Sequence, residues 1–213
     1  MKKNYFLGKN LLILLTGSLI ATSCMTDTES PVIQDDQVEI ALEETGGTGD
    51  ENLRKGGFMP YEDTFYNSIT PTFGIDGLYF PGTGTGKARG LGKSYSFLNQ
   101  RLSEDGTLLL GAPVKDYYTQ ELNDFGIDSE TLDDKVSTVV INERGHALFI
   151  ESEENELIRD IVNPDIIYFN AKINIVGGTK IYKDAAGSGT VNGWFDESSN
   201  EGVSKVSATI KLK

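Results

Sequence analysis

The chain has one cysteine, one histidine and only 19 basic residues among 213, and each shortage removes a class of function. A single Cys cannot close an intrachain disulfide or supply a cysteine-based zinc cluster. A single His leaves little from which to build a His-dependent metal site or a catalytic triad. With 32 Asp plus Glu against those 19 Lys plus Arg, the net charge is −13, whereas phosphate recognition needs a concentrated basic face. Nucleic acid is therefore not expected as a partner. Glycine is what the chain has in excess: 24 residues, too many for a helical bundle and without the three-residue period of collagen. The length allows one ordinary domain plus accessories. The composition suits a β protein punctuated by glycine.

Residues 1–23 carry Lys2, Lys3 and Lys9 and no acid, followed by the apolar run Leu11–Leu15 and then Leu19-Ile20-Ala21. This is the charged and then apolar pattern of an export signal, too short and interrupted for a spanning helix of about 20 apolar residues. The run ends in Ala21-Thr22-Ser23-Cys24, which resembles the lipobox of bacterial lipoproteins, with Ala21 where Leu is commonest. That resemblance implies cleavage before Cys24, acylation of Cys24, and a lipid anchor in the cell envelope, at the outer membrane. Lipidation also accounts for the lone thiol, which would otherwise be a reactive liability in an exported protein. Without the three signal lysines, 16 basic residues face 32 acidic ones, a net charge of −16.

Residues 24–57 form the next segment. Nine acids from Asp27 to Glu51 face only Arg54 and Lys55, and Gly46-Gly47-Thr48-Gly49 and Gly56-Gly57 interrupt them. Such a stretch cannot bury enough apolar surface to offset its chain entropy, so a flexible acidic tether is expected. The folded domain is expected over 58–213.

Within that domain the pattern is strand-like. Ile167, Phe169, Ala171, Ile173 and Ile175 alternate with polar or aromatic neighbours, as do Val206, Ala208, Ile210 and Leu212. Val191, Gly193 and Phe195 alternate with Thr190, Asn192 and Trp194. Period-two alternation marks strands with one buried face. Further strands are expected at 136–141 and 147–151 around the turn Asn142-Glu143-Arg144-Gly145, and at 95–100 and 108–110 around Glu104-Asp105-Gly106. Leu157, Ile158, Ile161 and Val162 fall on one helical stripe that Asn163-Pro164 would stop, so a helix is expected there. The acidic stretch 116–134 reads as an insertion with a short helix. Seven or eight strands with few helices leave a sandwich and a closed barrel both open.

Two glycine-rich blocks carry more. The first runs from Gly82-Thr83-Gly84-Thr85-Gly86 to Gly90-Leu91-Gly92-Lys93-Ser94. It is not a P-loop, because the position five before Gly92 is Lys87, and it misses the dinucleotide fingerprint at Lys87 and Arg89. The residues after Ser94 also alternate as a strand, whereas both motifs must open a helix. The second block is Gly177-Gly178-Thr179, then Ala185-Ala186-Gly187-Ser188-Gly189, leading into Val191-Asn192-Gly193-Trp194-Phe195. Together the segments 82–94 and 176–196 resemble the allene oxide cyclase-like (dirigent-like) β-barrel families, and bacterial lipoproteins with the same barrel. Lys180 departs from them, since another Gly is common there. The resemblance implies an all-β fold, a closed antiparallel barrel of about eight strands behind the flexible N-terminal tether. It carries over no catalytic residue, because no position here aligns with the polar groups of the plant cyclases.

Three side chains stand out as ligand-site candidates. His146 is the sole imidazole and starts a strand after a turn, where solvation is the bland reading and a general base the sharp one. Glu151 shares a strand face with Ala147 and Phe149 and would have a raised pKa if it pointed inward. Trp194 lies on the polar face of its strand, either as a binding surface or packed under the acidic insertion. Asp124, Asp128 and Glu130 lack the full spacing of a calcium loop, and no metal or cofactor is expected. The expected function is a non-enzymatic, membrane-anchored barrel, held to lipid through Cys24, that binds a small apolar ligand or a partner. The alternatives are a cyclase or isomerase with its substrate inside the barrel, and a structural or adhesive surface protein.

Overall fold

The computed structural model describes residues 57–88 and 92–212. The export signal, Cys24 and all but the last residue of the acidic segment 24–57 lie outside the described residues. Twelve strands follow in chain order: β1 (Phe58–Ile69), β2 (Thr72–Phe73), β3 (Leu78–Tyr79), β4 (Gly82–Ala88), β5 (Gly92–Leu98), β6 (Gln100–Leu102), β7 (Leu108–Gly111), β8 (Thr138–Asn142), β9 (Ala147–Arg159), β10 (Ile166–Gly178), β11 (Ala186–Asp196) and β12 (Glu201–Lys211). One helix, α1 (Lys115–Asp124), bends at Tyr118.

Eight of these strands pair in the order β10-β11-β12-β1-β4-β5-β8-β9, and β9 pairs back onto β10. The ring is a closed antiparallel barrel, so the choice between sandwich and barrel is settled. Closure leaves those strands no free edge, which in an open sheet invites aggregation. The short strands β7, β6, β3 and β2 branch from β9 as a side ribbon.

The alternating faces read from the sequence are the inward faces. Ile173, Ile175, Val206 and Ile210 are buried in one cluster with Tyr61, Phe65, Leu148 and Ile150. A single turn at Lys180–Tyr182 brings Tyr182 into that cluster, where burial pushes its hydroxyl up to about 12. A second cluster lies outside the barrel wall. There α1 and the chain around it bring Val114, Leu122, Ile127, Leu132 and Val136 onto the outward side chains Phe97, Val139, Ile141 and Ala147. The acidic insertion is thus a cover over β5, β8 and β9.

The helix expected through Leu157 to Val162 is absent: those residues are the end of β9 and the turn after it. Opposite Ala171 and Ile173 the β9 partners are Asn155 and Ser152, so β9 holds one extra residue. This bulge moves the inward positions from Leu148, Ile150 and Ser152 to Asn155, Leu157 and Arg159. The stripe that suggested a helix lies beyond the bulge and mixes two faces: Leu157 lines the barrel interior, whereas Ile158 is on the outer face and Ile161 and Val162 are in the turn. Ile158, Ile161 and Val162 stand largely in solvent.

The glycines do more than bend strands. Gly187, Gly189 and Gly193 share the inward side of β11, and a Cβ on Gly193 would run into the carbonyl oxygen of Val203 on β12. Lys180, the departure from the barrel families, has φ +52°, a backbone conformation that favours Gly. Its ammonium donates to the Arg144 carbonyl.

Candidate functional site: the open half of the barrel

The barrel interior is unequal. Toward the end made by Tyr61, Leu148, Ile175, Tyr182 and Ile210 it is filled with apolar side chains. Toward the other end it holds a cavity of about 240 Å³. Phe65, Leu157, Ile167, Phe169, Ala171, Val191, Phe195 and Val206 supply most of its wall, and the side ribbon contributes Leu78, Leu102, Gly106 and Leu109.

Arg159 and Glu197 stand at the cavity edge, at the ends of β9 and β11. They form a two-bond fork: Nη1 donates to Oε2 at 2.6 Å and Nη2 to Oε1 at 3.1 Å. Arg159 also donates to the Pro164 carbonyl. A bidentate pair of this kind is geometrically specific as well as attractive, and it neutralises the only two titratable side chains on the described cavity wall.

Polar groups enter the apolar wall from strands β1, β5, β9 and β12. Asn67, Ser96, Asn155 and Ser204 are each at least nine-tenths buried and line the cavity. Asn67 Nδ2 donates to Ser204 Oγ at 2.9 Å and to the Phe65 carbonyl at 3.4 Å. Asn155 Nδ2 donates to Gln100 Oε1 at 3.3 Å. Asn67 Oδ1, Ser96 Oγ and Asn155 Oδ1 have no hydrogen-bond partner among the described residues. Room for the first two comes from Gly84, where a Cβ would collide with both oxygens.

Just below the cavity, Asp63 is buried on β1 and accepts from Ser94 Oγ at 2.6 Å and from Tyr61 Oη at 3.3 Å. Burial raises its pKa, and the Ser94, Tyr61 and nearby backbone hydrogen bonds offset only part of that. The same burial, together with the adjacent Asp63 carboxyl, raises the pKa of Tyr61.

None of the three sequence candidates reaches this site. His146 sits at the β8–β9 turn, its backbone N–H donating to Asn142 Oδ1 at 3.0 Å. Desolvation, then Lys180 and Arg144, lower its pKa. Glu151 pairs in register with Asn174 on the outward side of β9, while Ile150 faces in. Trp194 faces outward, in register with Tyr168 and Val203, and borders a surface groove with Tyr66, Tyr95 and Thr85. It is not part of the cluster beneath the acidic insertion. Asp124 Oδ1 accepts from Gln120, and Asp128 Oδ1 from the Glu130 backbone N–H. No group of three or more metal-ligating side chains converges among the described residues. Sequence reasoning missed Asn67, Ser96 and Asn155. Asn67 and Ser96 had one available signal, polar residues in step with Phe65 and Leu98 at inward positions; for Asn155 the bulge erased it.

No family model matches the sequence, and no curated protein does. Among solved structures the chain is similar to one described as the pterocarpan synthase dirigent protein GePTS1. The two are 10% identical with a TM-score of 0.41, over 73% of this chain and 86% of that chain.

Proposed function

We propose that this protein is a lipid-anchored protein of the cell envelope whose barrel binds a small, largely apolar ligand in its open half. The observation that carries the binding reading is the cavity of about 240 Å³. For scale, a dry apolar cavity of roughly 150 Å³ takes up benzene, so one ring with a short substituent fits. Binding sites are commonly apolar hollows with a few polar groups that fix orientation, and Asn67, Ser96 and Asn155 supply those groups. The cyclase alternative needs a reachable cavity with at least two convergent polar or titratable groups. The wall has polar ones in Asn67, Ser96 and Asn155, and its titratable ones are Arg159 and Glu197. Arg159 and Glu197 are occupied with each other, which favours binding over chemistry.

The anchoring reading rests on the residues before and at Cys24. Several acyl chains, at about 0.8 kcal/mol per buried CH₂, hold a protein stably to a bilayer. Binding is tested by titrating a hydrophobic fluorescent probe and displacing it with cyclohexane derivatives; a barrel that takes up none of them is not a ligand carrier. Anchoring is tested with Cys24→Ala, which is expected to release the protein from membranes and abolish palmitate labelling. Persistent labelling would contradict the anchor.

A further inference from the structure

We propose that the outer groove between Trp194 and Tyr66 is a second binding site, and that it takes an organic ammonium ion. The site is independent of the cavity, because its side chains stand on the outward faces of β11, β12 and β1. Trp194 and Tyr66 both pair in register with Val203, so the two aromatic side chains flank that valine from the strands on either side. The next outward position on β12 is Glu201. All four line one groove of about 570 Å³, and Tyr66 is 70% exposed. Glu201 is the only charged side chain among the described residues of its wall, and it forms no ion pair among the described residues.

The chain itself shows what a ring beside a carboxylate attracts. At Tyr95, which lines the same groove, the Lys93 ammonium lies 5.1 Å from the ring centroid and 3.8 Å from Glu143. Around Val203 the combination recurs with a second ring added, but no ammonium of the described residues lies over Tyr66 or Trp194. Asp196 stands in register with Glu201, and hydrogen bonds from Ser198 lower its pKa, so this end of the groove is doubly negative. Lys205 is two positions beyond Val203 on the side away from Glu201. An anion is repelled here, and a plain hydrocarbon leaves Glu201 unused. An alkylated ammonium satisfies both parts: its methyl groups lie against the rings and Val203, while its charge is met by the ring faces and by Glu201.

The test is a fluorescence titration of the full chain, because Trp194 is its only tryptophan and its emission therefore reports on this groove. The probes are choline and 3,3-dimethylbutan-1-ol, which has the same shape with carbon in place of the charged nitrogen. Choline is expected to bind at least about fivefold tighter than the alcohol. Glu201→Gln is expected to weaken choline about threefold and leave the alcohol unchanged. Tyr66→Leu, which keeps an apolar side chain, is expected to weaken choline by a similar factor of about three. Equal affinities for the two probes, or no saturable change with choline, overturn the ammonium reading. Choline affinity indifferent to both substitutions assigns the binding to the net charge of the chain and overturns the site. The probe comparison needs only the unmodified chain, so a variant that fails to fold does not remove the test.

Discussion

The two halves of this barrel share strands, closure and backbone hydrogen bonding, yet one is solid and the other hollow. On β10 the change falls between neighbouring inward positions: Ile173 and Ile175 belong to the packed cluster, whereas Ile167, Phe169 and Ala171 line the cavity. The difference is one of side-chain volume and of ends. The solid end receives Tyr182 from the β10–β11 connection, while the open end has an ion pair at its rim and small or polar inward groups at Ala171, Ser96, Ser152 and Ser204. In a ring of about eight strands the interior is only just fillable by side chains, so modest losses of volume at one level open a site.

The largest expected effect comes from the same truncation at two levels of β9. Leu148→Ala removes a fully buried side chain from the solid half and should cost about 3 kcal/mol in urea unfolding. Leu157→Ala enlarges a cavity that already exists and should cost only about 1 kcal/mol. Equal costs would mean that the open half is packed as tightly as the closed one. The reverse manipulation is Ala171→Leu, which adds volume to the hollow half. It should lower affinity for cyclohexylmethanol by at least about tenfold, with a stability change below about 1.5 kcal/mol. If the same change instead unfolds the protein and Leu157→Ala is also severe, the cavity is not a relaxed space.

Asp63 lies at the boundary between the halves, and its pKa in the folded state is raised by burial. A carboxyl with a raised folded pKa binds its proton more tightly in the folded state, so its contribution is harmless at low pH. Stability then falls as pH climbs from the ordinary carboxylate value of 3.8 through the raised one. Asp63→Asn should therefore be more stable than the native chain at neutral pH, with the advantage shrinking toward pH ~4. Thermal unfolding across that range checks it; an advantage independent of pH would assign the effect to packing. The smallest effect is expected at the cap of the solid half. Lys180→Gly relieves a left-handed backbone conformation but loses the contact to the Arg144 carbonyl, a net gain of about 0.5 kcal/mol. A loss larger than that would make the Lys180 ammonium the element that holds the cap.

Much of the barrel was legible in the residues because alternation reports burial directly. The inward rows on β10 and β12 were readable, as was the turn at Asn142–Gly145. The end of β9 was not, because Ile158, Ile161 and Val162 are apolar yet exposed and fall at helical spacing, and because the bulge before them changes which parity faces in. The candidate site was the least legible part. His146, Glu151 and Trp194 were chosen for chemical type, and the tertiary arrangement puts all three outside the cavity.

Alternation of apolar and polar residues by itself determined that β10, β11 and β12 are strands and which side of each is dry, since a two-residue period is a property of a single strand. The near misses at Lys87 and Arg89 likewise ruled out phosphate-loop chemistry without any coordinates. Only the tertiary structure decided that the strands close on themselves and that one half stays hollow. It also decided that Asn67, Ser96 and Gly84, on three different strands, meet at one point. Register and closure depend on pairing between distant segments, and a cavity is the volume left after all inward side chains have been placed; neither is carried by any local stretch of residues.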